Sequence, residues 1–197
     1  MEPQGTIIPV YFVADQSGSM TENMSELNDG LTSLLDSLQK QPFAAAKVRF
    51  SVIGFSDTAH TYMEPSDLRS VPEMPTLQPG GMTSYAAAFN ELAKRISIDV
   101  PSLKNQGYAV VRPVAFFLTD GLPNANEDWR AARTALLNER ARPNIVAFGI
   151  GEADAAIVAE IATKPEHALV AIRGADTGEA LNKFFDGLTQ SVISSGQ

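Results

Sequence analysis

The chain has 197 residues, no cysteine, and a formal charge of −8 from 15 Lys and Arg against 23 Asp and Glu. The missing cysteines exclude a disulfide framework, a thiolate metal site and a cysteine nucleophile, and the acidic balance opposes nucleic acid as a main partner. Hydrophobic residues make up 44%, which suits one domain over 1–197 with an unaided core. No apolar run approaches the ~20 residues that span a bilayer. The start, Met1-Glu2-Pro3-Gln4-Gly5, lacks the basic opening of a signal peptide. The expectation is a cytoplasmic protein without a membrane partner.

Strand and helix signals alternate along the chain. Thr6 to Ala14 is a β-branched apolar run that stops at Asp15, as a strand buried on both faces would. Met24, Leu27, Leu31, Leu34, Leu35 and Leu38 mark one face of a helix, and Ser19 with Glu22 has capping-box spacing before it. Val48 to Phe55 reads as a second strand, with Thr58 to Met63 as an antiparallel edge partner. Glu64 to Met82 carries four prolines and then Gly80-Gly81, which predicts a long irregular connection.

The next helix has Tyr85, Phe89, Leu92 and Ile96 on its buried stripe. Val110 to Thr119 is the most hydrophobic strand and ends at Asp120-Gly121. A helix follows, with Asn126 as the expected cap and Glu127 and Asp128 in its first turn. Asn144 to Gly149 is a strand, Ile157 to Ala162 a short helix, and Ala168 to Ile172 the last strand. Leu181, Phe184, Phe185, Leu188 and Val192 give the final helix its face, and residues 194–197 are expected to fray. This order predicts an α/β fold: a doubly wound, mostly parallel six-stranded sheet with one antiparallel edge strand and helices on both faces.

Three motifs carry chemistry. Asp15-Gln16-Ser17-Gly18-Ser19 follows the first strand, and alternate positions on an extended turn point the same way, so Asp15, Ser17 and Ser19 can converge. Gly80-Gly81-Met82-Thr83-Ser84 precedes a helix and offers a hydroxyl at Thr83. Leu118-Thr119-Asp120-Gly121 puts a carboxylate at the end of the most buried strand. Each alone is equally a capped turn. Together they gain force, because ligands of doubly wound sheets bind at the carboxyl ends of the strands where the order reverses. If the strands ending at Asp15 and Asp120 are neighbours there, their carboxylates repel unless a cation lies between them. An all-oxygen donor set suits Mg²⁺, with Mn²⁺ or Ca²⁺ as substitutes.

These three elements resemble the metal-ion-dependent adhesion site (MIDAS) of von Willebrand factor A (VWA) domains. The stretches VYFVADQSGSM, KVRFSVIGFSD, GGMTSYAAAF and RPVAFFLTDGLPN look most like stand-alone bacterial VWA proteins of the tellurium-resistance TerY type. The resemblance implies a strand order 3-2-1-4-5-6. It implies a site of Asp15, Ser17, Ser19, Thr83 and Asp120, with the hydroxyls on Mg²⁺ and the aspartates often acting through water. It further implies a non-enzymatic module whose metal is completed by an Asp or Glu from a protein partner. By analogy it suggests a stress-response setting beside a kinase and a phosphatase. Met82, where relatives often have Gly, and Asn124-Ala125-Asn126, where an acid is common, depart from the pattern without removing a ligand.

Two other functions fit parts of the sequence. Asp15 at a strand end could serve an Mg²⁺-dependent phosphatase or hydrolase as nucleophile, although residue 17 is Ser where that chemistry uses a second acid. A scaffold that binds no metal is the third. Gly149-Ile150-Gly151 reads as a tight βα turn, because residue 154 is Asp where a dinucleotide loop has its third glycine. Trp129 is expected in the core, with a partner contact beside the metal loop as the alternative, and Met20 and Met82 either pack or form an apolar rim to the ligand loops.

Overall fold

The computed structural model describes residues 5–171 and 177–196, with 177–182, 185, 195 and 196 described by backbone alone. The strands are β1 (Thr6–Asp15), β2 (Val48–Phe55), β3 (Ala59–Ser66), β4 (Ala109–Val110), β5 (Val114–Thr119), β6 (Asn144–Gly149) and β7 (Ala168–Val170). The helices are α1 (Met24–Gln39), α2 (Pro42–Ala46), α3 (Tyr85–Asn105), α4 (Trp129–Leu137), α5 (Ala155–Ile161) and α6 (Thr177–Gly196).

The sheet order is β3-β2-β1-β5-β6-β7, with β4 also paired to β1. Every pairing is parallel except β2 with β3. This is the expected doubly wound order, with seven strands in place of six. The extra strand arises because the predicted Val110–Thr119 strand is interrupted. Ile7 is opposite Val110, but Val10 is opposite Val114, so one residue is inserted just before Pro113, which has no amide to give the ladder.

β1 is buried on both faces because its alternate side chains feed two cores. Val10, Phe12 and Ala14 pack with the leucine stripe of α1 and with Phe184, Leu188 and Val192 of α6. Tyr11 and Val13 pack on the other face with Tyr85, Phe89, Leu92 and Ile96 of α3 and with Trp129. At roughly 1.5–3 kcal/mol for each large apolar side chain buried, these two clusters are the main favourable term in folding. Trp129 is a core residue, ringed by Tyr85 and Phe89.

Several local expectations give way to tertiary contacts. The Ser19–Glu22 capping box does not form: Gly18–Asn23 is a 3-10 turn and Ser19 turns toward the end of β5. The cap of α4 is Asp128, whose side chain accepts from the Ala131 amide, so Asn126 lies outside the helix. The cap of α3 is Ser84, which accepts from the Ala87 amide and leaves Thr83 before the helix. The long connection is shorter than predicted, since β3 runs to Ser66 and a 3-10 turn covers Leu68–Ser70. β7 ends at Val170 and Ile172 lies outside the described residues, as do the side chains of Leu181 and Phe185. α6 extends to Gly196, and Gln197 lies outside the described residues.

Candidate metal centre

β1 and β5 are the strands at which the sheet reverses direction of winding, and both end on the same rim. Their register pairs Ala14 with Leu118, so the next residues, Asp15 and Thr119, come side by side. The Thr119 hydroxyl donates to Asp15 Oδ2 at 2.8 Å. The Ser17 amide donates to Asp15 Oδ1 at 2.8 Å. Asp15 is fully buried, with both oxygens engaged.

Beyond Asp15 the chain turns so that Ser17 and Ser19 face the end of β5. Their Oγ atoms are 3.1 Å apart, and Ser19 Oγ donates to Asp120 Oδ1 at 2.9 Å. Four of the five residues singled out from the sequence therefore form one connected cluster of oxygens. Burial, repulsion from Asp15 and a hydrogen bond between the two carboxyls push Asp120 up to about 6, against the opposite pull of the Ser19 hydroxyl. Holding a proton there is the way two neighbouring carboxylates relieve their repulsion when no cation does so.

The loop that carries Thr83 docks against the Asp15–Ser19 turn. The Gly18 amide donates to Gly81 O at 3.0 Å and the Gly80 amide to Gln16 O at 2.8 Å, which docks the glycine loop on the Asp15–Ser19 turn. Gly81 has φ +84°, and a Cβ there would meet Asp57 Oδ2 at 2.5 Å, so this close approach needs glycine. On the other side, Thr83 exchanges two bonds with Asn124: its amide donates to Asn124 Oδ1 at 3.1 Å, and its carbonyl accepts from the Asn124 amide at 2.9 Å. Among the described residues, the Thr83 hydroxyl makes no hydrogen bond to the other four side chains.

Glu127 completes the latch that sequence reading missed. It accepts from Ser84 Oγ at 2.7 Å and from the Ala86 amide at 3.2 Å. Tyr85, a core residue by its stripe, also acts here: its hydroxyl donates to Gly121 O at 2.7 Å and contacts Thr119 Oγ1. Burial pushes that hydroxyl's pKa up and keeps it a neutral donor. No spacing rule announces Asn124 or Glu127, because their partners lie about forty residues away in the chain.

The donor set is chemically uniform. It offers two carboxylates and serine and threonine hydroxyls, without nitrogen or sulfur, as hard divalent cations prefer. Among the described residues no group of three or more His, Cys, Asp or Glu gathers anywhere, so any cation at this rim would rely on hydroxyls beside Asp15 and Asp120. Two exposed apolar side chains border the cluster: Met82 at 64% and Leu122 at 56%, on the loops that carry Thr83 and Asp120. Met20 takes the packing alternative and is buried in the core.

Comparison with known proteins agrees with this architecture. No curated protein sequence matches the chain. Among solved structures, proximal thread matrix protein 1 from the mussel byssus, with a zinc-occupied MIDAS motif, is 18% identical with a TM-score of 0.66 over 95% of this chain and 46% of that one. The chain thus spans less than half the length of that protein. The pilus adhesin SpaC from Lactobacillus rhamnosus GG is 14% identical with a TM-score of 0.72, over 98% of this chain and 31% of that one. The vWF domain of the type V pili tip protein Mfa5 from Porphyromonas gingivalis is 12% identical with a TM-score of 0.66, over 97% and 96%. At these identities the likeness is one of fold. Among the described residues no helix is long and apolar enough to cross a membrane. The von Willebrand factor type A domain model matches residues 10–186, and the chain belongs to that family.

Proposed function

We propose that this VWA domain binds a protein partner through a divalent cation, Mg²⁺ foremost, held by Asp15, Ser17, Ser19, Thr83 and Asp120. When bound, the cation supplies a Lewis-acidic position that a partner's Asp or Glu carboxylate can complete. The observation that carries this reading is the juxtaposition of Asp15 and Asp120 at adjacent strand ends, with Asp15 accepting from the Ser17 amide, the Ser17 and Ser19 hydroxyls leading on to Asp120, and the Asp120 carboxyl pushed up to about 6.

The protein's own residues each have a part. Asp15 is fixed by Thr119 and the Ser17 amide, so its charge has one orientation. Asn124 and Glu127 tie the Thr83 loop and the start of α3 to the segment after Asp120. Met82 and Leu122 give a partner apolar contact beside the polar centre. The hydrolase alternative asks Asp15 to attack a substrate, and a fully buried carboxylate with both oxygens engaged is poorly placed for that. The reading is therefore of an interaction module and not of an enzyme.

The resemblance to TerY-type proteins extends the reading to a cytoplasmic stress-response system with kinase and phosphatase partners. The pilus and adhesin neighbours make a cell-surface setting the competing one. Affinity capture from the native host, with elution by EDTA, tests the reading: a partner released by chelation and not retained by Asp15→Ala supports it. Retention that is indifferent to EDTA overturns it.

A further inference from the structure

At the opposite pole of the sheet from Asp15 and Asp120, a groove of about 590 Å³ opens between the C-terminal end of α3, the β4–β5 connection and the segment after α4. Its floor is apolar, with Ile96 and Val100 from α3 and Pro113 before β5. Its walls carry Lys104, Arg112, Arg140 and Arg142, opposed by one acid, Glu139. In a chain of net charge −8 this is a local reversal of sign. Arg49, Arg69, Arg95 and Arg130 each pair with a carboxylate. Among the described residues, the four cations of the groove pair with none. Arg112 donates to the Arg142 backbone carbonyl at 3.1 Å, which holds its guanidinium against the segment after α4.

A second observation selects the form of the occupant. Among the described residues β4 pairs with β1 alone. The Ala109 and Val111 amides donate to Gly5 O and Ile7 O. Backbone groups alternate sides along a strand, so those of Val110 and Arg112 face the other edge, where β6 has not yet begun. Val110, Val111 and Arg112 all line the groove, and Val111 is 42% exposed. The groove thus presents a short free strand edge above an apolar floor and beneath unpaired cations.

We propose that this groove binds an extended acidic segment of a partner protein. The segment adds its backbone along Val110–Arg112, sets an apolar side chain over Ile96 and Val100, and places carboxylates by Arg112, Arg140 and Arg142. Backbone bonding supplies affinity and alternate side chains supply specificity, as in strand addition to a sheet edge. Charge complementarity selects an acidic segment over a basic one. The site is independent of the metal centre and lies at the other end of the strands.

The test is an amide NMR titration of the whole chain in EDTA, with a peptide of alternating Glu and Val as the probe. The expected result is saturable shifts at Val110, Val111, Arg112 and residues 139–142, with slowed hydrogen exchange at the Val110 amide. Arg112→Glu with Arg142→Glu, both exposed positions, should weaken binding by about tenfold or more. Asp15→Ala should leave it unchanged, which separates this proposal from the metal reading. Unchanged melting of the double variant shows that the fold is intact. Absence of saturable shifts overturns the proposal. So do equal shifts from a Lys–Val peptide, or full reproduction of the shifts by free glutamate or inorganic phosphate, which would make this a small-anion site.

Discussion

Replacing Asp120 by Asn should make the metal-free protein more stable while removing its response to Mg²⁺. The folded state raises the Asp120 carboxyl from an ordinary 3.8 to about 6. At 1.36 kcal/mol for each pH unit, that is a penalty on the order of 2–3 kcal/mol for carrying the charge at neutral pH. Asn keeps an acceptor for the Ser19 hydroxyl and carries no charge to repel Asp15. For a domain of this size each kcal/mol moves the melting temperature by roughly 2–4 °C, so Asp120→Asn in EDTA at pH 7.5 should melt roughly 5–10 °C above the wild type. The sign with pH follows from linkage. A carboxyl with a raised folded pKa makes the native state bind more protons between 3.8 and about 6, so its contribution to stability is present in acid and lost as pH rises through about 6. The gap between wild type and variant should therefore close as pH falls toward 4. With saturating Mg²⁺ at pH 7.5 the wild type should gain about 2.7 kcal/mol at a hundred times its Kd, and the variant little. Differential scanning fluorimetry across pH, with and without Mg²⁺, reads all of this. A variant that is less stable than wild type in EDTA, or that keeps the full Mg²⁺ response, would refute the reasoning.

Four further substitutions probe the contacts around the site and the core. Glu127→Ala should cost about 1–3 kcal/mol in urea unfolding by stranding Ser84 Oγ and the Ala86 amide, and should weaken Mg²⁺ binding by freeing the Thr83 loop. Gly81→Ala should lower Mg²⁺ affinity measured by calorimetry, because a Cβ at φ +84° meets Asp57 and pushes the loop off the Asp15–Ser19 turn. Tyr85→Phe should destabilise by about 1 kcal/mol through the lost bond to Gly121 O, with its aromatic contacts kept. Asp99→Ala should cost about 3 kcal/mol, since it leaves the buried Tyr11 hydroxyl and Arg95 without their shared partner; an unchanged unfolding midpoint would count against that buried network.

The alternation of strands and helices was legible because it depends on signals local to each segment, whereas the strand order and the grouping of Asp15, Ser17, Ser19 and Asp120 at one rim were what the family resemblance implied. Apolar β-branched runs end abruptly at an acid, and hydrophobic periodicity switches between strand and helix. What was not legible depends on partners far along the chain. Ser19 with Glu22 has the spacing of a cap, yet Ser19 bonds Asp120, 101 residues away. Glu127 resembles a helix-start acid but holds the start of α3. The break at Pro113 was visible as a residue type, but the resulting shift of register between Val110 and Val114 appears only against β1. The cationic groove escaped notice for the same reason, because Lys104, Arg112 and Arg142 are scattered in sequence and meet only when α3, β4 and the segment after α4 converge.

The most direct measurement of the central claim is paramagnetic broadening of amide NMR signals by Mn²⁺ added at substoichiometric levels. The account predicts selective loss of signals at Ser17, Gly18, Ser19, Thr83, Ser84 and Gly121, reversed by excess Mg²⁺ and absent in Asp15→Ala. Broadening spread over the acidic surface, or centred elsewhere and unaffected by Asp15→Ala, would contradict it.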